Sequence, residues 1–508
     1  MSHIQAYISR RHSHFCAATF GCIVSVLTLF LLPMGCAFLA SPRTAAPAPH
    51  SGITAASPGY PMWHFQKKEK PSVFRKLPAS PPAAKTVSAP KTASAAFWAW
   101  CWSGPSQRDT NLFPMIWVHH KDYFQPAKIA AQARWIPRGK VALFFCNAAA
   151  SMLKNPADTC RTTSGAITRF PSPWLTVGAV QIGRRFARFF RRYKAVGGRL
   201  NYLVLDYESG LSCWQISPEN AHAISVDPRF TGLKYHLGFT NIMAIFQPGT
   251  ARKSWNKFVG RRIAQALNLA FFLPAATVFP SLSASNYGGM SMLGTAVAPD
   301  TNGHYQPSDQ IFGNTQSPAF YGDIGQLAQQ QKGGQAYGNS PFAVLRYEML
   351  YLQAIKRTSH IPIVPWIGYP GFANYGKATG YYRELVYQLA LRGVNQFLYW
   401  NPRAWLSHQA PLATAQDDAL LDGCLAILNT RLGPTPGKSL DTGPVHWNSP
   451  LLVAGRTTTN GQILYRVTVP PGTPAIIAQP GNDRVNTAGK TGVWVTTSAN
   501  QPLTFTPQ

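Results

Sequence analysis

Acidic residues are the scarcest chemical class in this chain. Asp and Glu together number 18 in 508 residues, against 47 Lys and Arg, for a formal charge of +29. A surplus of that size favours anionic partners such as acidic polysaccharide, lipid head groups or nucleic acid. A secreted protein that is simply basic is the plain alternative. Cysteine is scarce too. Of the 8 cysteines, Cys16, Cys22 and Cys36 fall in the first forty residues, leaving Cys101, Cys146, Cys160, Cys213 and Cys424. An odd number precludes complete intramolecular pairing, and Cys146 with Cys160 is the nearest disulfide candidate. No Cys-x-x-Cys or Cys/His spacing suits zinc, and the adjacent His119 and His120 would face opposite ways on a strand. No metal is therefore expected. No Gly-rich phosphate loop follows the first predicted strand and no nucleic-acid recognition motif is visible, so neither a cofactor nor a nucleic-acid partner is expected.

What is present is apolar, aromatic and loop-rich. Hydrophobic residues make up 45% and aromatics 12%, with 42 Pro and 41 Gly. Arg10 and Arg11 precede an apolar run over residues 15–40, in which Gly35-Cys36-Ala37 offers small residues for cleavage. Residues 1–40 thus read as a signal peptide or as an uncleaved signal anchor, which would act as a membrane tether through residues 15–40. In either case the bulk of the chain is expected to be exported, secreted or periplasmic. Residues 41–95 are rich in Pro, Ala, Ser and Lys, a composition that builds no core and reads as a disordered linker.

From residue 96 to about 435, apolar strands alternate with helical patterns. The predicted strands are 97–103, 114–119, 141–146, 202–208, 276–281, 361–368 and 396–400. The clearest helix opens at Ser172-Pro173, keeps Ala179, Ile182, Phe186, Phe189, Phe190 and Tyr193 on one face, and stops at Gly197-Gly198. Further helices are expected from Ser340-Pro341 and over residues 379–392. Strand, helix, strand in this order argues for a parallel sheet, and seven strands with one unrecognised suit a (β/α)8 TIM-type barrel. An open doubly wound sheet is the alternative. The Gly-, Ser-, Asn- and Gln-rich stretch 283–339 reads as a long loop suited to a lid or subsite wall. Beyond residue 440 only short β-like runs remain, at 462–469, 475–478 and 492–497, so residues 440–508 read as a small all-β, sandwich-like domain.

One motif concentrates the few acids. The apolar strand Leu203-Val204-Leu205 ends in Asp206-Tyr207-Glu208. Alternation along a strand puts both carboxylates on one face, with Tyr202 and Val204 below them. In a parallel barrel the strand C-termini form the active face. A carboxyl group beside another in a half-desolvated cleft has its pKa raised, which suits Glu208 as a general acid and Asp206 as its proton-sharing or orienting partner. Two strand-end carboxylates held by arginines or backbone amides are the structural alternative. Other strand ends carry Trp102, Asn286, Tyr287, Trp366, Tyr369, Trp400 and Asn401. Aromatic platforms with amide and carboxylate hydrogen bonds suit sugar rings, so these are the candidate substrate-binding residues.

Leu205-Asp206-Tyr207-Glu208 resembles the strand-four Asp-x-Glu of barrel glycoside hydrolases of the chitinase-like and hyaluronidase-like kind. Trp400 looks like their sugar-floor tryptophan. The resemblance implies Glu208 as acid/base and Asp206 as the group that positions a substrate acetamide acting as nucleophile. The fuller upstream pattern of acids and glycine is absent, since Asn201, Tyr202 and Val204 occupy those positions. No other predicted strand ends in a carboxylate, so substrate assistance fits better than an enzyme nucleophile. Inversion with a loop acid such as Asp300 or Asp323 stays open. The expected activity is hydrolysis of a polysaccharide by an exported monomer, the substrate being anionic if the charge is complementary. The alternative is a non-catalytic carbohydrate-binding or envelope-assembly protein on the same scaffold. Two basic clusters stand apart from this site. Arg184, Arg185, Arg188, Arg191 and Arg192 form one, and Arg252, Lys253, Lys257, Arg261 and Arg262 the other. They read as solvated outer faces of helices, or as an attraction to an anionic envelope or exopolysaccharide.

Overall fold

A computed structural model describes residues 95–104, 109–145 without 123 and 138, 155–206 without 173 and 175, and 218–287 without 233–236 and 248–249. It also describes residues 312–320, 340–358, 361–368, 380–401, 415–498 and 501–508. All of these fall within one unit of the chain.

The centre is a curled, TIM-like sheet of eight parallel strands. They are β1 (Trp98–Cys101), β2 (Leu112–Val118), β3 (Ala142–Phe145), β4 (Tyr202–Asp206), β5 (Ser283–Tyr287), β6 (Ala319–Phe320), β7 (Trp366–Gly368) and β8 (Gln396–Trp400). Their order in the sheet is β5-β4-β3-β2-β1-β8-β7-β6, so every strand but β5 and β6 pairs with its neighbours in sequence, and β1 pairs with β8. Alternation decides what each strand buries. Leu143, Phe145, Leu203 and Leu205 face outward into one helix-covered core, while Phe397 and Tyr399 face outward into a second. The intervening residues face inward. Trp100 and Tyr202 meet there at a 6.0 Å ring separation, and both are fully buried.

The edges of the sheet, β5 and β6, are not joined by a ladder. The amides of Asn314 and Thr315 both donate to the Ala284 carbonyl at 3.1 Å. The Asn314 side chain in turn accepts from the Ala284 amide at 2.8 Å and donates to the Leu282 carbonyl at 2.9 Å. On the other side Gln316 donates to Pro362 at 2.9 Å and accepts from Val364 at 2.8 Å. One irregular segment therefore stitches β5 to the β7 side. Gly313 makes the approach possible, because a Cβ there would lie 2.2 Å from the Ala284 carbonyl oxygen and its φ is +80°. Inside the seam, the Tyr202 hydroxyl donates to Ser285 at 2.9 Å and pairs with Thr315 at 2.9 Å. Burial pushes that phenol's pKa up, and the hydroxyl partners only partly offset it.

Helices cover the outside. They include α1 (Pro126–Ala133), α2 (Thr176–Ala195), α3 (Thr250–Leu267), α4 (Pro341–Thr358), α5 (Tyr381–Leu391) and α6 (Ala415–Leu432), and the short helices Pro218–Ser225 and Pro228–Thr231 lie between α2 and α3 in the chain. A π-helical turn, Asn268–Phe272, and a short helix, Leu273–Ala276, continue α3. The predicted strand at 276–281 is corrected by this, because its apolar residues end a helix and a turn. The fifth strand is the polar run Ser283–Tyr287. With Ala319–Phe320 as the sixth, residues 283–339 are not one long loop. α2 also starts later than the Ser172-Pro173 signal. Its first amides are held by Asp158, which accepts from Val177 at 3.0 Å and from Gly178, while the Ser172 hydroxyl holds the Asp158 carbonyl.

After α6 the described chain is all β. Three strands, β9 (Leu452–Thr457), β10 (Ile463–Thr468) and β13 (Gly492–Thr497), form one antiparallel sheet. β11 (Ala475–Gln479), β12 (Asp483–Asn486) and β14 (Thr504–Pro507) form another. α5 locks onto the first sheet through polar side chains. Glu384, 1% exposed, pairs with Arg466 and accepts from Thr468 at 2.7 Å. Gln388 donates to the Leu452 carbonyl at 3.1 Å, and the Tyr381 hydroxyl donates to Val469 at 2.6 Å. Arg456 reaches back to the Ala390 carbonyl at 2.9 Å and Asn395 at 2.7 Å.

Candidate functional site

The parallel direction of the sheet gathers the strand C-termini at one end. Cys101, Val118, Phe145, Asp206, Tyr287, Phe320, Gly368 and Trp400 close the eight strands there. Asp206 is placed by its backbone, as the last residue of β4 and in register with Tyr287 on β5. Asn286 and Tyr287 are likewise placed by backbone alone, and Glu208 and Tyr369 lie outside the described residues.

Four strands contribute aromatic rings to this end. Trp102, just past β1, meets Trp117 of β2 edge-on at 4.4 Å, Phe144 of β3 at 4.6 Å and Trp366 of β7 at 6.3 Å. Trp117 also lies 5.3 Å from Phe144 and 5.7 Å from the His119 ring. Such offset and edge-on pairs add about 0.5–1.5 kcal/mol each beyond burial, so the cluster is rigid. The Trp117 indole N–H donates to the Trp102 carbonyl at 2.8 Å, which fixes the β1 exit. Trp366 is 1% exposed and forms the floor, whereas Trp102, Trp117 and His119 are half-buried and form the rim.

The structure thus brings Trp102 and Trp366 of distant strands together. Trp400 closes β8 in register with Gly368 and is almost buried. Asn401 is fully buried. Its side-chain oxygen accepts from the Ser103 amide at 2.7 Å, and its N–H group reaches Asp418 at 3.3 Å. In this state Asn401 positions the β1 exit loop against α6.

Trp117 and Phe144 were not among the candidate residues, yet they complete the aromatic cluster. The signal for them was alternation: Phe113, Met115, Trp117 and His119 occupy every second position of β2 and its exit. Among the described residues, no group of three or more His, Cys, Asp or Glu side chains is placed to hold a metal ion.

At the opposite end, Lys140 sits with its ammonium 2.9 Å from the centre of the Trp98 ring. Burial lowers its pKa to about 8. Cys146 lies outside the described residues, while Cys160 is buried on the short hairpin Thr159–Arg161 and Ile167–Pro171. No described helix is long and apolar enough to cross a membrane.

No family model matches the chain, and no curated protein matches it. Among solved structures it is similar to an α-amylase from Malbranchea cinnamomea. The alignment covers 76% of this chain and 87% of that one at 9% identity, with a TM-score of 0.23, a likeness too loose to carry an argument.

Proposed function

We propose that the protein is an exported carbohydrate-active enzyme that hydrolyses a polysaccharide at the C-terminal end of its curled sheet, the sheet being a (β/α)8 barrel in kind. The observation that carries this reading is the position of Asp206. It closes β4 at the same end of the sheet that carries the cluster of Trp102, Trp117, Phe144 and Trp366. A half-buried ring such as Trp102 or Trp117 can offer its face to the C–H face of a sugar, and a carboxylate at a nearby strand end supplies proton transfer. Glu208, two residues on, is the general acid in this scheme, and Asp206 orients it or a substrate acetamide. Residues 15–40 serve as signal or tether, and the protein acts as a monomer.

Reducing-end release from a panel of neutral and acidic polysaccharides tests the assignment. Glu208→Gln should lower turnover by at least about 100-fold, in keeping with loss of general acid catalysis. Asp206→Asn should lower it too while leaving binding intact. Unchanged activity in Glu208→Gln removes the catalytic assignment. Binding without cleavage by either form supports the second reading, a carbohydrate-binding or envelope-assembly protein.

A further inference from the structure

The edge of the sheet opposite the candidate site has its own surface chemistry. The C-terminal end of α2 is flanked by two shallow grooves. One, of about 460 Å³, is lined by Ala187, Arg191, Lys194, Pro274, Thr277 and Val278. The other, of about 550 Å³, is lined by Arg134, Trp135, Ile136, Pro137, Gly197 and Arg199. Ala195 also borders the first and Gly197 the second, so they adjoin at Val196, which is 41% exposed. Trp135 is 92% exposed and Leu273 is 49% exposed. A tryptophan left almost wholly in water forfeits its large apolar contribution to the fold and marks a surface built for something else.

Charge on this edge has one sign. No acidic residue occurs between Asp122 and Asp158, between Asp158 and Asp206, or between Asp227 and Asp300, the three stretches that build it. The outward face of α2 shows Arg184, Arg185, Arg188, Arg191 and Arg192 exposed. The ion pairs Lys128–Asp122, Arg229–Asp227 and Arg466–Glu384 all lie off α2. The chain enters β1 at Trp98 from this same end of the sheet.

We propose that this edge docks on an anionic lipid bilayer. Trp135, Val196 and Leu273 enter the headgroup region, and Arg134, Arg191 and Lys194 face the phosphates, while Arg199 holds the Ala133 and Ile136 carbonyls beneath them. Cations alone would suit any polyanion. A protruding indole with aliphatic neighbours gains only where the partner has apolar depth, and that selects a bilayer over a soluble acidic polysaccharide. The proposal is independent of what the opposite end of the sheet does.

Hydroxyl-radical footprinting of the full chain reads the surface directly, whatever the apolar run 15–40 does. The probes are vesicles of phosphatidylcholine alone, vesicles with half phosphatidylglycerol, and dextran sulfate as a soluble polyanion. Oxidation of Trp135 and Leu273 should fall several-fold on the anionic vesicles and stay unchanged on the neutral ones. Each basic residue near such a surface contributes about fivefold to partitioning, so Arg191→Ala with Lys194→Ala should raise the lipid concentration needed for half-maximal protection about 25-fold. Salt at ~0.5 M should weaken it as well, because screening then acts over a few ångströms. Equal protection on neutral and anionic vesicles, no protection on either, or protection by dextran sulfate alone would each overturn the proposal.

Discussion

Gly313 and Lys140 show how single residues shape the end of the sheet at which the strands begin. Gly313 has a φ of +80° and no room for a Cβ beside Ala284, whereas Gly165 has a φ of +85° and open space around it. Both positions disfavour any other residue by about 1 kcal/mol of backbone strain. Gly313→Ala should cost more than that, since the seam must also part, and Gly165→Ala should cost only the strain. Denaturant midpoints of the two variants make the comparison, and equal losses would mean that the seam does not depend on this approach. For Lys140, whose pKa falls from 10.5 to about 8 in the folded protein, the unfolded chain holds a proton across that window that the folded chain has shed. Folding stability contributed at this site therefore rises with pH between those values. Against a Lys140→Met variant, the stability difference should move in favour of the unsubstituted chain as pH goes from 7 to 10. A difference independent of pH would place the ammonium in water.

At the scale of elements, the legible parts were those whose packing is local. β8 was read at its observed bounds because Phe397 to Trp400 form an unbroken apolar run. The apolar face of α2 was read correctly from Ala179 to Tyr193. Two elements were hidden by distant partners. β5 is Ser-Ala-Ser-Asn-Tyr, because Ser285 must meet the buried Tyr202 hydroxyl, and a polar strand of that kind looks like a loop. The apolar run before it was mistaken for the strand it precedes. The start of α2 was misplaced because its cap, Asp158, comes from a turn well upstream rather than from Ser172. Asp158→Ala should destabilise the protein by about 1–2 kcal/mol, the cost of losing a helix cap, and Asp158→Asn should recover part of it. A thermal melt that does not distinguish the two variants would assign the cap no role. In the candidate site, Asp206 and the two tryptophans Trp102 and Trp366 were found from strand ends, while Trp117 and Phe144 needed the sheet order to be seen as neighbours.

For the whole molecule, the decisive contact is the polar face between α5 and the C-terminal sheet. Glu384, Gln388, Arg456 and Arg466 cross it, and all but Gln388 carry charge. Truncating Glu384 leaves the 8%-exposed Arg466 without its carboxylate, which costs about 3–5 kcal/mol for a buried pair. Glu384→Ala should therefore lower the stability of the curled-sheet region and the β region together. Calorimetry should show one transition in the unsubstituted chain, and two separated transitions would mean that the interface is weaker than its geometry indicates.

The seam between β5 and β6 carries a consequence for access. A ring joined everywhere by ladders can widen only by breaking strand pairing. Here the clasp consists of Asn314, Thr315 and the hydroxyl group of Tyr202, and it can loosen while every ladder stays intact. β5 is the strand on which that freedom falls, and Tyr287 at its end lies beside Asp206. The ring is thus a cuff with a buckle, and the buckle is fastened at the start of β4 and β5, at the other end of the two strands from Asp206 and Tyr287.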